Sequence, residues 1–101
     1  MKFYISSKMT GLPQENFPAF FAFEKKMQNK GFDIVNPARI SQTIQEIIPE
    51  ATKRDYLSAD LLELMECDGI IMFGDWRNSD GALMEHIVAK QLGMKIMYWE
   101  E

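Results

Sequence analysis

The stretch "GIIMF", Gly69 to Phe73, decides the fold of this 101-residue chain. Four consecutive apolar residues follow the glycine, without the polar and apolar alternation that a strand with one solvated face shows. Continuous apolar runs are typical of strands that helices cover on both faces, and such strands belong to parallel sheets. We therefore interpret this run as one strand of a parallel α/β sheet.

Three further runs of strand type lie at residues 2–6, 32–36 and 95–99, with the sequences "KFYIS", "FDIVN" and "KIMYW". Helical patterns separate them, and this alternation favours parallel βαβ units. We predict an α/β fold in a single domain covering residues 1–101. The expected architecture is a small doubly wound, flavodoxin-like or Rossmann-like parallel sheet of about four strands with flanking helices.

The first helical pattern lies between Pro18, which is pre-organised for an opening turn, and Gly31, a favoured helix-ending residue. Within it, the aromatic run "FPAFFAF" and its continuation place Phe20, Phe23 and Met27 on one face. This spacing predicts a core stripe. A stacking platform for nucleobases is the alternative, but core packing explains the spacing without it.

A second long helix is predicted to begin after Thr52, which together with Asp55 resembles a capping box. Asp60 lies on the flank of the apolar stripe of this helix. The connection before it, residues 37–51, carries isoleucines at helical spacing. A short helix there would act as a lid or as a subunit contact, because long connections in compact domains are often functional.

Composition argues against several classes of partner. The formal net charge is -4 and no run of Lys and Arg exceeds two residues, so no basic surface for a nucleic-acid polymer is expected. A small anionic ligand needs only a few local donors. The single cysteine, Cys67, is interpreted as a small core residue, because no second cysteine or ligand cluster accompanies it. Without a signal-peptide pattern or an apolar run of about 18 residues, we expect a cytoplasmic protein with no membrane partner.

The last predicted helix carries an acid on its apolar side. On a helical wheel, Glu85 lies near the middle of the side that should face the sheet. The other residues of that side are Gly81, Ala82, Val88, Ala89 and Leu92. Burying an unpaired carboxylate costs free energy, so we interpret Glu85 either as a structural hydrogen-bond hub or as a functional acid.

The opposite side of the same helix is also apolar, with Leu83, Met84 and Ile87 falling together. A second apolar side in a small domain needs a partner, and we expect a homodimer or a higher homo-oligomer. His86 lies on the flank of the helix and is interpreted as a peripheral or interface residue. No metal site is predicted, because the chain has no other histidine.

The turn before this helix has two possible uses. Ser79 to Gly81 lead into a helix N-terminus, where free amides and the helix dipole favour an anion, although a capping side chain would use the same residues. Ser6, Ser7, Lys8 and Met9 come at the end of the first strand and should lie at the same edge of the sheet. Together with Glu85 they predict a pocket for a phosphorylated sugar, with the carboxylate facing the sugar.

Three segments carry a resemblance to a known family: "FYISSKMTGLPQENFPAF", "DLLELMECDGIIMF" and "NSDGALMEHIVAKQLGMKI". In this order and spacing they resemble the nucleoside 2-deoxyribosyltransferase-like superfamily, specifically its short branch. The branch usually has Gly-Pro where this chain has Ser7 and Lys8, which alters the loop beside the sugar and offers a cation for phosphate. The resemblance implies a single domain of this type over residues 1–101.

The resemblance also implies roles for individual residues. Glu85 matches a nucleophile that attacks C1′ of a (deoxy)ribosyl group, Asp60 matches an acid that assists at the nucleobase, and Tyr4 matches a tyrosine that positions the glutamate. Ser79 and Gly81 match phosphate contacts of the nucleotide 5′-monophosphate N-glycosidases of the superfamily. At the position of Ser79 the nucleoside transferases carry an aspartate, which would repel a phosphate.

The predicted function is therefore an N-glycosidase or deoxyribosyltransferase-like enzyme. It would cleave the N-glycosidic bond of a (deoxy)nucleoside 5′-monophosphate through a covalent glycosyl-glutamate intermediate, without a cofactor or a metal. The alternative is a non-catalytic nucleotide-binding module that keeps the pocket. A signalling domain that works through partner contacts is a further possibility, by analogy of fold alone.

Overall fold

The computed structural model describes residues 1–100. Within them, four strands form one sheet: β1 (Lys2–Ser6), β2 (Asp33–Val35), β3 (Gly69–Phe73) and β4 (Lys95–Trp99). The α-helices between these strands are α1 (Phe17–Asn29), α2 (Pro37–Ile47), α3 (Lys53–Met65) and α4 (Asp80–Gln91). Short 3-10 helices at Pro13–Asn16 and Trp76–Asn78 precede α1 and α4.

The strands are parallel and lie in the order β2-β1-β3-β4. The chain moves from β1 to β2 in one direction and from β3 to β4 in the other, so the winding reverses between β1 and β3. Because parallel crossovers share one hand, this reversal places helices on both faces of the sheet. The predicted small doubly wound, Rossmann-like sheet is confirmed, and the crevice beside the reversal is where ligands of such sheets collect.

Two hydrophobic cores lie on the two faces of the sheet. Successive side chains of β1 point to opposite sides, so Phe3 and Ile5 enter one core and Tyr4 enters the other. The first core contains the predicted stripe of α1: Phe20, Phe23 and Met27. The second lies under α3 and α4 and includes Leu64, Cys67, Ile70, Met72, Ala82 and Ala89. All five residues of β3 are buried, as its continuous apolar sequence predicts.

Two element boundaries differ from the sequence prediction. Helix α1 begins at Phe17, so that Pro18 occupies the second helical position rather than the first. Strand β2 is shorter than the predicted run 32–36, because Asn36 leaves the strand and caps the next helix. Its side-chain oxygen accepts the Ala38 amide at 2.9 Å. The segment after it forms α2, which confirms the short helix expected in the long connection.

At the ends of the last two helices, one sequence prediction is confirmed and one is wrong. Thr52 and Asp55 form the predicted capping box, with each side chain bonded to the backbone of the other. Leu92 was expected on the buried side of the last helix, which is wrong: it is 54% exposed. The reason is that α4 ends at Gln91, so Leu92 is the residue after the last turn and no longer follows the helical wheel. Among residues 1–100, no helix has the length and apolarity needed to cross a membrane.

Candidate active site

Glu85 lies on the side of α4 that faces the sheet, and it is 6% exposed. The Tyr4 hydroxyl donates a hydrogen bond to its Oε2 at 2.5 Å, and the Ser6 hydroxyl donates to its Oε1 at 2.7 Å. Tyr4 and Ser6 are two residues apart on β1, so both side chains point to the same face. Each carboxylate oxygen is therefore held by one hydroxyl of the same strand.

The surroundings of Glu85 shift the pKa of three groups. Burial raises the pKa of Glu85 to about 7, although the hydrogen bonds from the Tyr4 and Ser6 hydroxyls act in the opposite direction. Burial also raises the pKa of Asp60 to about 8, and the charge of Glu85 adds to this effect. The pKa of Tyr4 lies well above its ordinary value, because of burial and of the two acids. Tyr4 therefore stays a hydrogen-bond donor at all working pH values.

Asp60 on α3 is the second acid of the site. Its Oδ1 atom is buried and makes no hydrogen bond, and no other buried side-chain oxygen or nitrogen in residues 1–100 shares this property. A buried polar atom without a partner costs free energy, so it is expected either to carry a proton or to serve a ligand. With Glu85 ionised first and Asp60 protonated, the pair combines a carboxylate and a carboxylic acid in one site.

A cleft of about 540 Å³ opens above these acids at the carboxyl ends of the strands. Six of the predicted site residues line it: Ser7, Lys8, Asp60, Ser79, Gly81 and Glu85. Tyr4 lies beneath it, fully buried, and reaches the cleft through its hydrogen bond to Glu85. The sequence prediction thus named residues that the fold brings together.

The N-terminus of α4 forms one end of the cleft. Ser79 caps this helix, since its hydroxyl accepts the Ala82 amide at 3.1 Å. The amides of Asp80 and Gly81, the first two of the helix, have no partner within it. A Cβ atom added to Gly81 would meet nothing closer than the Ser79 hydroxyl at 4.0 Å. The fold itself therefore does not require glycine at this position, and the open space lies beside free amides.

The loops that close the cleft depend on two close contacts. Gly74, after β3, has a φ of +59° and lies so near β1 that an added Cβ would be 2.8 Å from the Ser7 hydroxyl. Asn16 donates a hydrogen bond to the Lys8 carbonyl at 2.8 Å and so holds the loop after β1. These contacts position the Ser7 hydroxyl and the Lys8 side chain at the edge of the cleft.

Several residues of the site were not predicted. Ser6 was expected at this edge of the sheet, but its hydrogen bond to Glu85 was not predicted, although the period of two from Tyr4 on a strand is a signal for it. The lining residues that were not predicted come mainly from the loop after β1 and from α2 and α3: Thr10, Glu15, Phe20, Pro37, Ser41, Lys53, Tyr56 and Leu57. No sequence signal places α2 and α3 over the cleft, because the path of the long connection depends on tertiary packing.

The part of the chain that the structure describes contains a second cavity. This cavity of about 650 Å³ lies beside α1, and it is lined mainly by apolar residues together with Lys26 and the exposed Glu100. It contains no buried acid. No group of three or more His, Cys, Asp or Glu side chains in this part of the chain is placed to hold a metal ion. The Glu85 cleft is therefore the candidate active site.

The two raised pKa values predict an unusual dependence of stability on pH. Glu85 and Asp60 have ordinary pKa values of 4.5 and 3.8, so both bind protons more tightly in the folded chain. Proton binding by these two acids therefore stabilises the fold. This stabilisation is complete below the ordinary pKa values and is lost as pH rises through about 7 for Glu85 and about 8 for Asp60. We expect the melting temperature to fall from pH 5 to pH 9. The free energy of unfolding should decrease by about 3 kcal/mol because of Glu85.

Thermal unfolding followed by circular dichroism at several pH values measures this effect. Glu85→Gln should flatten the fall, whereas the matched control Glu50→Gln, at an exposed position, should not. A melting temperature that rises steadily over this range would contradict the assignment of raised pKa values.

The search among curated proteins found no match. Residues 1–98 match the model of one protein family. Since this match covers almost the entire chain, the protein belongs to the family described as "Domain of unknown function (DUF4406)".

Proposed function

We propose that the protein cleaves the N-glycosidic bond of a (deoxy)nucleoside 5′-monophosphate, with Glu85 as the nucleophile. One observation carries this proposal: a buried carboxylate, oriented by the Tyr4 and Ser6 hydroxyls, lines a cleft together with a second acid. A carboxylate in such a position costs free energy, and strongly perturbed acids in clefts are typical of catalytic sites. The resemblance to the nucleoside 2-deoxyribosyltransferase-like superfamily assigns the same role to Glu85.

The proposed reaction has two steps. The ionised Glu85 attacks C1′ while the bond from C1′ to the base nitrogen breaks, and Asp60 gives its proton to the departing base. This leaves a glycosyl ester on Glu85. Water, or the nitrogen of a second base, then attacks C1′ and releases Glu85 as a carboxylate, while the displaced proton returns to Asp60. Two displacements retain the configuration at C1′.

The Tyr4 and Ser6 hydroxyls support the first step. They hold both oxygens of Glu85 and favour its ionised form, because each donates a hydrogen bond to it. The carboxylate is thereby oriented before the substrate arrives, which reduces the entropy that must be lost in the reaction. Neither hydroxyl needs to transfer a proton.

The α4 end of the cleft supports a phosphate on the substrate. The free helix amides and the open space at Gly81 lie at this end. The side chains of Lys8 and Lys53 also line the cleft. The carboxylate of Asp80 opposes a phosphate, but this side chain is exposed, where solvent and salt screen its charge. Ser79 is neutral, unlike the aspartate of the nucleoside transferases. A nucleotide is therefore favoured over a nucleoside.

A non-catalytic nucleotide-binding module remains the second candidate. The observation that favours it is that both oxygens of Glu85 already accept hydrogen bonds, as those of a structural hub would. A pKa of about 7 also leaves much of the side chain protonated at neutral pH. The two candidates differ in a single outcome, the release of a free base.

We further propose that the protein forms a homo-oligomer through α3 and α4. The predicted second apolar side of α4 is exposed in the single chain: Leu83 is 36%, Met84 43% and Ile87 54% exposed. Leu62 and Met65 on α3 are exposed as well, at 63% and 51%. Exposed apolar side chains on neighbouring helices are typical of subunit interfaces, and a second copy supplies a complementary apolar surface.

The first test is base release. We expect the protein to liberate free base from at least one ribo- or deoxyribonucleoside 5′-monophosphate in a panel, with or without an added second base, as followed by chromatography. Glu85→Gln should lower the rate by at least about 1,000-fold, because it removes the nucleophile. The rate of the unmodified protein should rise with pH through about 7 and fall through about 8, as Glu85 ionises and Asp60 loses its proton.

Glu50→Gln serves as the control for this test, since Glu50 is an exposed acid outside the cleft. Base release that persists in the Glu85→Gln variant would contradict the assignment of Glu85 as the nucleophile. If no base appears while nucleotides raise the melting temperature, the binding-module candidate is correct instead.

The second test concerns Gly81. We expect Gly81→Ala to stabilise the fold by about 0.5–1 kcal/mol, since glycine is unfavourable in a helix and the added Cβ has room. The same substitution should weaken the binding of a nucleoside monophosphate, because the Cβ fills the space in front of the free amides. Calorimetry on both proteins, with the monophosphate and with the nucleoside lacking phosphate, measures how much affinity each ligand loses on substitution. An equal loss for both ligands would show that no phosphate binds there.

The third test concerns the oligomer. Light scattering at micromolar concentration should show more than one subunit, and Ile87→Glu should dissociate it because a charge would be buried in the interface. Lys25→Glu, an exposed change on α1, which packs in the core on the other face of the sheet, provides the matched control. A monomer at these concentrations refutes the proposed interface.

A further inference from the structure

One wall of the cleft carries hydrogen-bond donors that have no partner in the fold. Lys53, Tyr56 and Leu57 are spaced along α3 so that they share one side of the helix, and all three line the cleft. Ser41 lines the same cleft from α2, which packs against α3. These four residues form the α2–α3 wall. Within residues 1–100, the side chains of Lys53, Tyr56 and Ser41 make no hydrogen bond and no ion pair, so their donors are available to a ligand.

The Ser41 hydroxyl is nearly buried but still open to the cleft. Ser41 is 5% exposed. Within residues 1–100, one side-chain atom is both closed to solvent and without a hydrogen bond, and it is Asp60 Oδ1. The Ser41 oxygen makes no hydrogen bond either, so it keeps some exposure, and Ser41 lines the cleft. A polar group that is nearly buried and has no partner in the chain is expected to serve a ligand.

The charges along α3 favour an anion at this wall. Lys53 is the first residue of α3, where the helix dipole adds to the positive potential of its ammonium group. Asp55 lies about 200° around the helix from Lys53 and therefore points away from the wall. Its carboxylate is held by the Thr52 amide at 2.9 Å. Asp60 keeps its proton at neutral pH, because burial raises its pKa to about 8.

Two acids elsewhere in the cleft, Glu15 and Asp80, oppose an anion only weakly. Both are exposed, so solvent and salt screen their charges. The Glu15 carboxylate also accepts a hydrogen bond from the Gln45 side chain at 3.0 Å. The hydroxyls of Ser41 and Tyr56 are less exposed, and hydrogen bonds to an anion are stronger where water is partly excluded. The α2–α3 wall is therefore suited to an anionic group.

We propose that the substrate is a nucleoside 5′-monophosphate whose base carries a carboxylate, and that Lys53, Tyr56 and Ser41 bind this carboxylate. This inference rests on the proposed function, because it concerns the base of the same substrate. With the phosphate at the α4 end and C1′ at Glu85, the base extends along the α2–α3 wall. Lys53 lies two turns before Asp60, about 10 Å along α3, so its ammonium group meets the far end of the base and not the glycosidic bond.

A carboxylate matches the three donors of this wall better than an uncharged group does. Its two oxygens accept up to four hydrogen bonds, which is enough for one ammonium group and two hydroxyls. A carboxamide of the same shape accepts at one oxygen only and brings an amino group that is itself a donor. With a carboxamide, a donor of the wall would therefore lose its contact with water without gaining a partner.

The test compares two nucleotides that differ in this group alone. Nicotinate mononucleotide carries a carboxylate where nicotinamide mononucleotide carries a carboxamide. Calorimetry on the Glu85→Gln variant, in which no cleavage disturbs the titration, should show the carboxylate ligand binding at least about 10-fold more tightly. The rise in melting temperature that each nucleotide produces in the unmodified protein should rank the two in the same order. Adenosine 3′,5′-bisphosphate, whose second anion is on the sugar, should bind no more tightly than adenosine 5′-monophosphate.

Lys53→Gln tests the cation of the wall. Without the ammonium group, the preference for the carboxylate ligand should fall below about 2-fold, while the affinity for nicotinamide mononucleotide stays the same. Arg54→Gln is the matched control, since Arg54 is an exposed cation at the next position of α3 and does not line the cleft. This variant should keep the preference. Circular dichroism confirms that each variant is folded.

Several results would overturn the inference. Equal affinity for the two mononucleotides, or a preference that persists in the Lys53→Gln variant, would show that this wall does not bind the carboxylate. An equal loss of both ligands in that variant would assign Lys53 to the 5′-phosphate, and a gain in affinity from the 3′-phosphate would assign the anion to the sugar. Base release without a preference for the carboxylate refutes this inference and leaves the catalytic proposal standing. A preference without base release refutes the catalytic role of Glu85 alone.

Discussion

The hydrogen bonds from the Tyr4 and Ser6 hydroxyls to the Glu85 carboxylate link α4 to β1, one of the two central strands of the sheet. They make it possible for an ionisable group to lie on the buried side of a helix. They also depend on the register of β1, because a shift by one residue would turn Phe3 and Ile5 toward the acid and both hydroxyls away from it. This contact, together with the packing of Ala82 and Ala89 in the second core, positions α4 and the helix end that lines the cleft.

Much of the site could be predicted because its residues belong to regular elements. Glu85 was placed toward the sheet by the helical wheel, and the apolar run of β3 predicted a strand buried on both faces. Both are local periodicities, which a sequence displays directly. The same reasoning failed at Leu92, where the helix had already ended, and at Asn36, whose side chain was needed to cap α2. Helix ends are set by individual hydrogen bonds and not by periodicity.

The α3 side of the cleft could not be predicted in the same way. Tyr56 and Asp60 are far from Glu85 in the sequence, and their position depends on how α2 and α3 return across the sheet. The stripe of α3 places Asp60 on a flank, but it does not show what that flank faces. Only the packed structure shows that the flank opens on the cleft, and that the Oδ1 atom of Asp60 has no partner there.

The two acids of the site differ because of what surrounds them and not because of their type. Burial raises the pKa of both, but the Tyr4 and Ser6 hydroxyls act on Glu85 alone, so its pKa of about 7 lies below the value of about 8 for Asp60. As pH rises, Glu85 ionises first, and its charge then makes the ionisation of Asp60 more difficult. Near neutral pH Asp60 therefore keeps its proton to a greater extent than Glu85 does. This asymmetry supports one carboxylate as nucleophile and one carboxylic acid as proton donor, and it requires no residue beyond a tyrosine and a serine on one strand.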